Sequence, residues 1–218
     1  MKITACIFDL DGVIVDTANY HYLAWRRLAR EMGFDFSADH NEQLKGVSRL
    51  ESLEILLNVG GIKLSEPEKH DAAQRKNAWY VDYIAALTPD EILPGVIRFL
   101  TDLRKNKIKI ALGSASKNAG LILQRLKLIE YFDAHIDGNK ISKAKPDPEI
   151  FLLAAEELKT EPSECLVFED AQAGIEAAKN AGMRSIGVGD PEKLEKADLV
   201  ISGFSNLSWK LLMEWLSH

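Results

Sequence analysis

Cysteine is scarce, with only Cys6 and Cys165 in 218 residues. Two thiols so far apart in sequence make no disulfide framework, and each sits in a short apolar run, where a small buried hydrophobe is expected. Long apolar runs are missing as well. None approaches the ~20 residues of a membrane span, and the first run ends at Asp9, too soon for the core of a signal peptide. A soluble, cytoplasmic protein with no membrane partner is the expectation. Positive charge is in deficit: 27 Lys and Arg stand against 33 Asp and Glu, a formal charge of -6, and the cations are scattered among the acids. That leaves no broad basic surface for a nucleic-acid backbone. There is no internal repeat and no low-complexity segment. Gly187, Val188, Gly189 and Asp190 lack the GxGxxG spacing of a dinucleotide loop and follow the wrong strand.

What is present is a change of rhythm along the chain. Residues 3–8 read as a buried strand. After Thr17, apolar side chains recur every three or four positions (Ala18, Tyr22, Trp25, Leu28, Ala29, Met32), which predicts a helix stopped at Gly33. Two more helices are predicted over 50–58, closed by Gly60 and Gly61, and over 66–86, with Pro67 in its first turn. This block holds no convincing strand. Past Pro94 and Gly95, strands at 108–112, 134–136, 165–168, 185–188 and 199–201 alternate with helices at 96–105, 118–126, 148–158 and 173–181. Such alternation predicts an α/β fold, a doubly wound parallel sheet of Rossmann-like form. The first strand belongs with the later ones. Residues 1–16 and 94–218 are therefore expected to form the core domain, with 17–93 as an inserted all-helical cap. In "LSWKLLMEWLSH", Trp209, Leu212, Met213 and Leu216 fall on one helical face, as core packing requires.

In a doubly wound sheet the ligand lies beyond the carboxyl ends of the strands. Three predicted strands end in polar groups. The first delivers Asp9 and Asp11 in "FDLDGVIVDT", the second Ser114 in "IALGSAS", and another Glu169 and Asp170 in "CLVFED". Lys145, in "SKAKPDPEIF", precedes a helix and can reach the same rim. Four carboxylates there (Asp9, Asp11, Glu169, Asp170) repel unless neutralised, and an oxygen-only ligand set suits Mg²⁺, which also binds substrate phosphate. Lys145 and Ser114 then supply donors to the transferring group. Asp9 is the candidate nucleophile, forming an aspartyl-phosphate, and Asp11 the acid-base group. Gly12 suits a tight turn close to a ligand.

The set "DLDGV", Ser114, Lys145 and "ED", in that order, resembles the haloacid dehalogenase superfamily. The inserted block resembles the β-phosphoglucomutase family within it, through "FDLDGVIVDTANYH", "NEQLKGVSRLESL", "RKN", "GSASKN" and "KPDPEIF". Two small departures stand out: Gly113 precedes Ser114 where Ala is common, and "IDGNKISKA" before Lys145 is distinct. The resemblance implies a phosphomutase that interconverts β-glucose 1-phosphate and glucose 6-phosphate through a bound 1,6-bisphosphate, its partners being small sugar phosphates; a monomer is the expectation. It implies further that Arg49 in the cap, with Ala115, Ser116, Lys117 and Asn118 in the core, holds the phosphate that is not reacting. A planar guanidinium binds phosphate oxygens bidentately, which suits Arg49 to that role. Lys45 and Gly46 are implied at the cap loop, and Thr17, His21, Trp25 and Lys76 near the sugar. Blander readings compete. Trp25 can be plain core, Lys76 part of a solvated run, Arg49 and Lys45 partners of Glu42 or Glu51, and Glu169 with Asp170 a helix-terminal acidic pair. A sugar-phosphate phosphatase and a noncatalytic phosphate-sensing, receiver-like module are the rival functions.

Overall fold

The computed structural model describes residues 2–44 and 47–216. Its centre is a six-stranded sheet of β1 (Ala5–Phe8), β2 (Lys109–Gly113), β3 (Ala134–Ile136), β4 (Cys165–Glu169), β5 (Arg184–Val188) and β6 (Leu199–Ile201). The order is β3-β2-β1-β4-β5-β6 and every pairing is parallel, with Ala5 opposite both Lys109 and Cys165. The strands are apolar runs because helices cover both faces. Cys6, Phe8, Leu166 and Phe168 face α5 (Val96–Lys105), α6 (Ala119–Arg125) and α9 (Trp209–Trp215). Phe8 stacks on Phe168 with ring centroids 4.6 Å apart. Ala5, Ile7, Cys165 and Val167 face α7 (Glu149–Glu157) and α8 (Gln172–Asn180). The two cysteines are thus free, buried and on opposite faces of the sheet.

Between β1 and β2 the chain forms α1 (Ala18–Glu31), α2 (Ala38–Glu42), α3 (Arg49–Gly60) and α4 (Glu66–Ile84). Trp25 and Leu28 of α1, Leu53 and Leu56 of α3 and Ala72 of α4 close on Phe36 in a separate apolar cluster. Ala24, Tyr80 and Ile84 join the sheet's cluster instead, so α1 and α4 fasten this block to the core. Local sequence sets the helix ends. Ser48 and Glu51 form a capping box at the start of α3, and Gly61 ends it at φ +63°. Pro67 and the Ser65–Glu68 pair open α4.

Two elements differ from the sequence reading. α2 was not anticipated, because five residues are too few to display a helical period. Its start is written in Ser37 and His40: Ser37 Oγ accepts from His40 N at 3.2 Å and His40 Nδ1 from Ser37 N at 3.3 Å, so a histidine fills the place usual for Glu or Gln. α4 stops at Ile84, two residues early. Other boundaries shift by one or two residues, as frayed ends do.

Candidate active site

Parallel strands open their carboxyl ends on one edge, and β2, β1 and β4 are neighbours there. Asp9 follows β1, Ser114 follows β2, Glu169 ends β4 and Asp170 comes next. Gly12 turns the chain back at φ +78°, its N–H donating to Val15 O at 2.8 Å. A Cβ on Gly12 would overlap the Asp170 carboxylate, so the turn needs both the conformation and the bareness of glycine.

Lys145 comes from the loop between β3 and α7 and is 5 % exposed. Its Nζ donates to Asp9 Oδ1 at 2.6 Å, to Gly113 O at 3.1 Å and, in a very short contact, to Glu169 Oε1. Burial works to lower its pKa, but the Asp9 and Glu169 carboxylates outweigh burial and hold it above the ordinary lysine value. The ammonium stays charged. Burial raises the Glu169 carboxyl against the pull of Lys145, and its other oxygen accepts from Ala171 N at 3.1 Å. Gly113 departs from alanine for a visible reason: a Cβ there would lie 3.1 Å from the Phe151 ring, over which Lys145 Nζ sits at 4.9 Å.

Oxygens of Asp9, Glu169 and Asp170 all lie within 4.8 Å of one another. Three hard oxygen donors converging beside one ammonium fit a small divalent cation. The Asp11 side chain is not in that trio. Its Oδ1 instead accepts from Thr17 Oγ1 in a very short contact, and Thr17 Oγ1 accepts from Tyr80 OH at 3.3 Å. Burial first, then the Asp9 carboxylate, raises Asp11 to about 7. Ser114 is 1 % exposed. Its N–H donates to Ile136 O at 3.0 Å, and its Oγ accepts from Ser116 N at 3.2 Å.

These groups form the floor of a cavity of about 990 Å³ whose opposite wall is the helical block. Thr17, His21 and Trp25 of that wall line it, as do Arg49 and Lys76. Lys76 is 2 % exposed rather than solvated. Its Nζ lies 2.9 Å from His21 Nδ1, 4.5 Å from the centre of the Trp25 ring and 4.7 Å from that of Tyr80. Burial and then the Arg49 guanidinium push the Lys76 pKa well down, and burial followed by Lys76 pushes His21 well down, leaving its imidazole neutral. Trp25 is both core and wall. Glu51 Oε2 accepts from Ser48 N at 2.9 Å, and a Glu42 oxygen lies 3.9 Å from Lys193 Nζ. On the core side Ala115, Ser116, Lys117 and Asn118 reach the same cavity. Lys45 and Gly46 lie outside the described residues.

Sequence reasoning missed Asn77 and Tyr80, both supplied by α4. Tyr80 had an available signal, since Ala72, Ala73, Lys76 and Tyr80 repeat at three- and four-residue spacing along the buried side of α4, whereas Asn77 lies off that pattern.

A family model described as haloacid dehalogenase-like hydrolase matches residues 3–182. A β-phosphoglucomutase of Bacillus subtilis (strain 168) is 49% identical over 212 residues, 96% of this chain and 94% of the relative. A phosphorylated carbohydrates phosphatase of Thermotoga maritima is 36% identical over 84% of this chain and 83% of its own. The crystal structure of β-phosphoglucomutase from Clostridium difficile superposes with a TM-score of 0.94 at 47% identity, covering 99% of this chain and 97% of that one. With its parallel sheet, its ordered acidic rim and these relatives, the chain belongs to the haloacid dehalogenase-like hydrolase family and groups there with the β-phosphoglucomutases.

Proposed function

We propose that this protein is a β-phosphoglucomutase that interconverts β-glucose 1-phosphate and glucose 6-phosphate through phospho-Asp9 and a bound β-glucose 1,6-bisphosphate. One observation carries the reading: a single cavity is lined by the acidic cluster around Asp9 and, on the helical block, by the Arg49 guanidinium and the buried Lys76 amine, donors suited to a second phosphate. A phosphatase requires one phosphate position, whereas a mutase requires a reacting and a held one.

In the forward half, Asp11 removes the proton of the sugar's 6-hydroxyl as O6 attacks phosphorus on phospho-Asp9, and the Asp9–phosphorus bond breaks. The sugar then turns round. In the return half, Asp9 attacks the 1-phosphoryl group while Asp11 returns its proton to O1, which leaves glucose 6-phosphate and phospho-Asp9. A carboxyl with a pKa of about 7 can serve in both directions near neutral pH. Lys145 fixes one Asp9 oxygen, leaving the other for attack, and Ser114 with Lys145 offers donors to the equatorial phosphoryl oxygens. Mg²⁺, held by Asp9, Glu169 and Asp170, would neutralise charge on the phosphoryl group. Asp11, expected from sequence as a further metal ligand, has its Oδ1 on Thr17 and is assigned the acid-base role instead. Arg49, Ser116, Lys117 and Asn118 hold the second phosphate, with His21, Trp25 and Lys76 over the sugar. Residues 17–93 act as a cap on a core of 1–16 and 94–218. Its closure assembles the acid-base group only when sugar is present, so that phospho-Asp9 is hydrolysed slowly without sugar.

The test supplies pure β- and α-glucose 1-phosphate with Mg²⁺ and a trace of bisphosphate, and follows glucose 6-phosphate and free phosphate together. Product from the β anomer with little free phosphate is expected. Free phosphate in equal amount to substrate consumed would make the protein a phosphatase.

A further inference from the structure

Besides Thr17 to Asp11 and Glu42 to Lys193, a further polar contact joins the helical block to the core across the cavity. Asn118 Nδ2 donates to Asn77 Oδ1 at 3.0 Å, from the N-terminal cap position of α6 to the middle of α4. An asparagine at such a position ordinarily turns its carboxamide back onto the helix's own amides. Here the side chain makes no capping bond and reaches across to α4 instead. The backbone of the loop is fixed from the core side. Ser116 Oγ accepts from Asn118 N at 3.3 Å, and Asn139 Nδ2 donates to Lys117 O at 3.0 Å. The core therefore places Asn118, while α4 decides where its carboxamide points.

We propose that Asn77 is a positioning residue: it aims the Asn118 carboxamide and so couples the seating of the helical block to the phosphate-holding end of the cavity. This rests on the assignment of Asn118 to the held phosphate. A carboxamide nitrogen carries two hydrogens. With one given to Asn77 Oδ1, the other has a set direction for a phosphate oxygen. Asn77 gives its Oδ1 to this bond, so its loss acts through Asn118 and the two effects are coupled, whereas direct donation from its own Nδ2 to the phosphate would make them additive. Without Asn77, Asn118 must lose rotamer freedom at the moment of binding, which weakens affinity.

The test is a double-mutant cycle in the dissociation constant for glucose 6-phosphate, measured by calorimetry with Mg²⁺ on the parent, Asn77→Ala, Asn118→Ala and the double variant. Alanine is a strong helix former, so α4 tolerates the change, and melting curves check folding. Asn118→Ala should weaken binding about tenfold or more, the worth of a hydrogen bond to a charged group. Asn77→Ala should weaken it about three- to fivefold in the parent, and less than about twofold where Asn118 is already alanine. The same variant should raise KM for β-glucose 1-phosphate by the same factor and leave kcat within about twofold. Equal factors in both backgrounds, or no factor in either, overturn the proposal. A coupled cycle in a protein without mutase turnover keeps the positioning role and removes the mutase reading. An additive cycle in an active mutase does the reverse, and a parent that binds no glucose 6-phosphate removes both.

Discussion

The floor and the wall of the cavity bury charge in opposite ways. On the floor Lys145 lies between two carboxylates, with Nζ 2.6 Å from Asp9, and its pKa rises because partners outweigh burial. On the wall Lys76 has a neutral imidazole and two aromatic rings for company, and its pKa falls because burial and Arg49 act together. A buried charge without a counter-charge is costly. The floor has met that cost within the protein and is poised for chemistry. The wall has only the Asp11 carboxylate acting against burial and Arg49 at Lys76, and under the proposed function a substrate phosphate would add the missing counter-charge.

The comparison breaks most sharply at Asp11. Asp11→Asn should lower turnover by about 10²–10⁴, the range for a lost acid-base group, read as kcat in steady-state kinetics. Its effect on stability has the opposite sign. The native value of about 7 stands above the ordinary 3.8, so the folded chain keeps a proton that the unfolded chain releases between these values. Stability from this group is full below about pH 4 and is lost as pH climbs through about 7. Denaturant titration of metal-free protein should therefore find Asp11→Asn more stable than the parent at pH 8 by roughly 2–4 kcal/mol, with the gap closed near pH 4. Equal stability at both values would contradict this.

Lys145→Ala strips the floor of its cation and should reduce kcat by about 10²–10³, with a loss of about 3–5 kcal/mol in urea unfolding at neutral pH. A wall substitution should act differently. Arg49→Lys keeps the charge and loses the bidentate fork, so KM should rise about tenfold while phosphorylation of Asp9 proceeds at the parental rate in rapid quench. Unchanged steady-state kinetics would take Arg49 out of the site. Smallest are three positions away from both ends. Lys107, Lys127 and Lys159 sit at φ +59°, +57° and +51° after α5, α6 and α7. Replacing any one by Gly should add about 0.5–1 kcal/mol by thermal unfolding without changing kcat.

The same contrast explains what could be read from sequence. Floor residues follow strands, and the α/β rhythm alone places strand ends together, so Asp9, Ser114, Lys145 and Glu169 were legible before any coordinate. Wall residues have no such rhythm, and Thr17, His21, Trp25, Arg49 and Lys76 are named as site residues only through the family resemblance. Lys76 looks solvated in "QRKN" because its neighbours are polar, yet it shares the buried face of α4 with Ala72, Ala73 and Tyr80. Asn77 is polar, half-buried and next to a candidate, but its partner Asn118 lies 41 positions away, a pairing that no local pattern encodes. α2 was hidden by its length, and its His40 cap by the habit of looking for Glu or Gln there.

The central claim is that Asp9 carries the phosphoryl group between the two ends of one sugar. The direct measurement is acid-quenched mass spectrometry of protein mixed with β-glucose 1,6-bisphosphate and Mg²⁺, run beside Asp9→Asn. The account predicts a hydroxylamine-labile phosphoryl group on the peptide holding Asp9, absent from the variant, together with loss of glucose phosphate interconversion. Parental turnover by Asp9→Asn, or a phosphoryl group found on another residue, would contradict it.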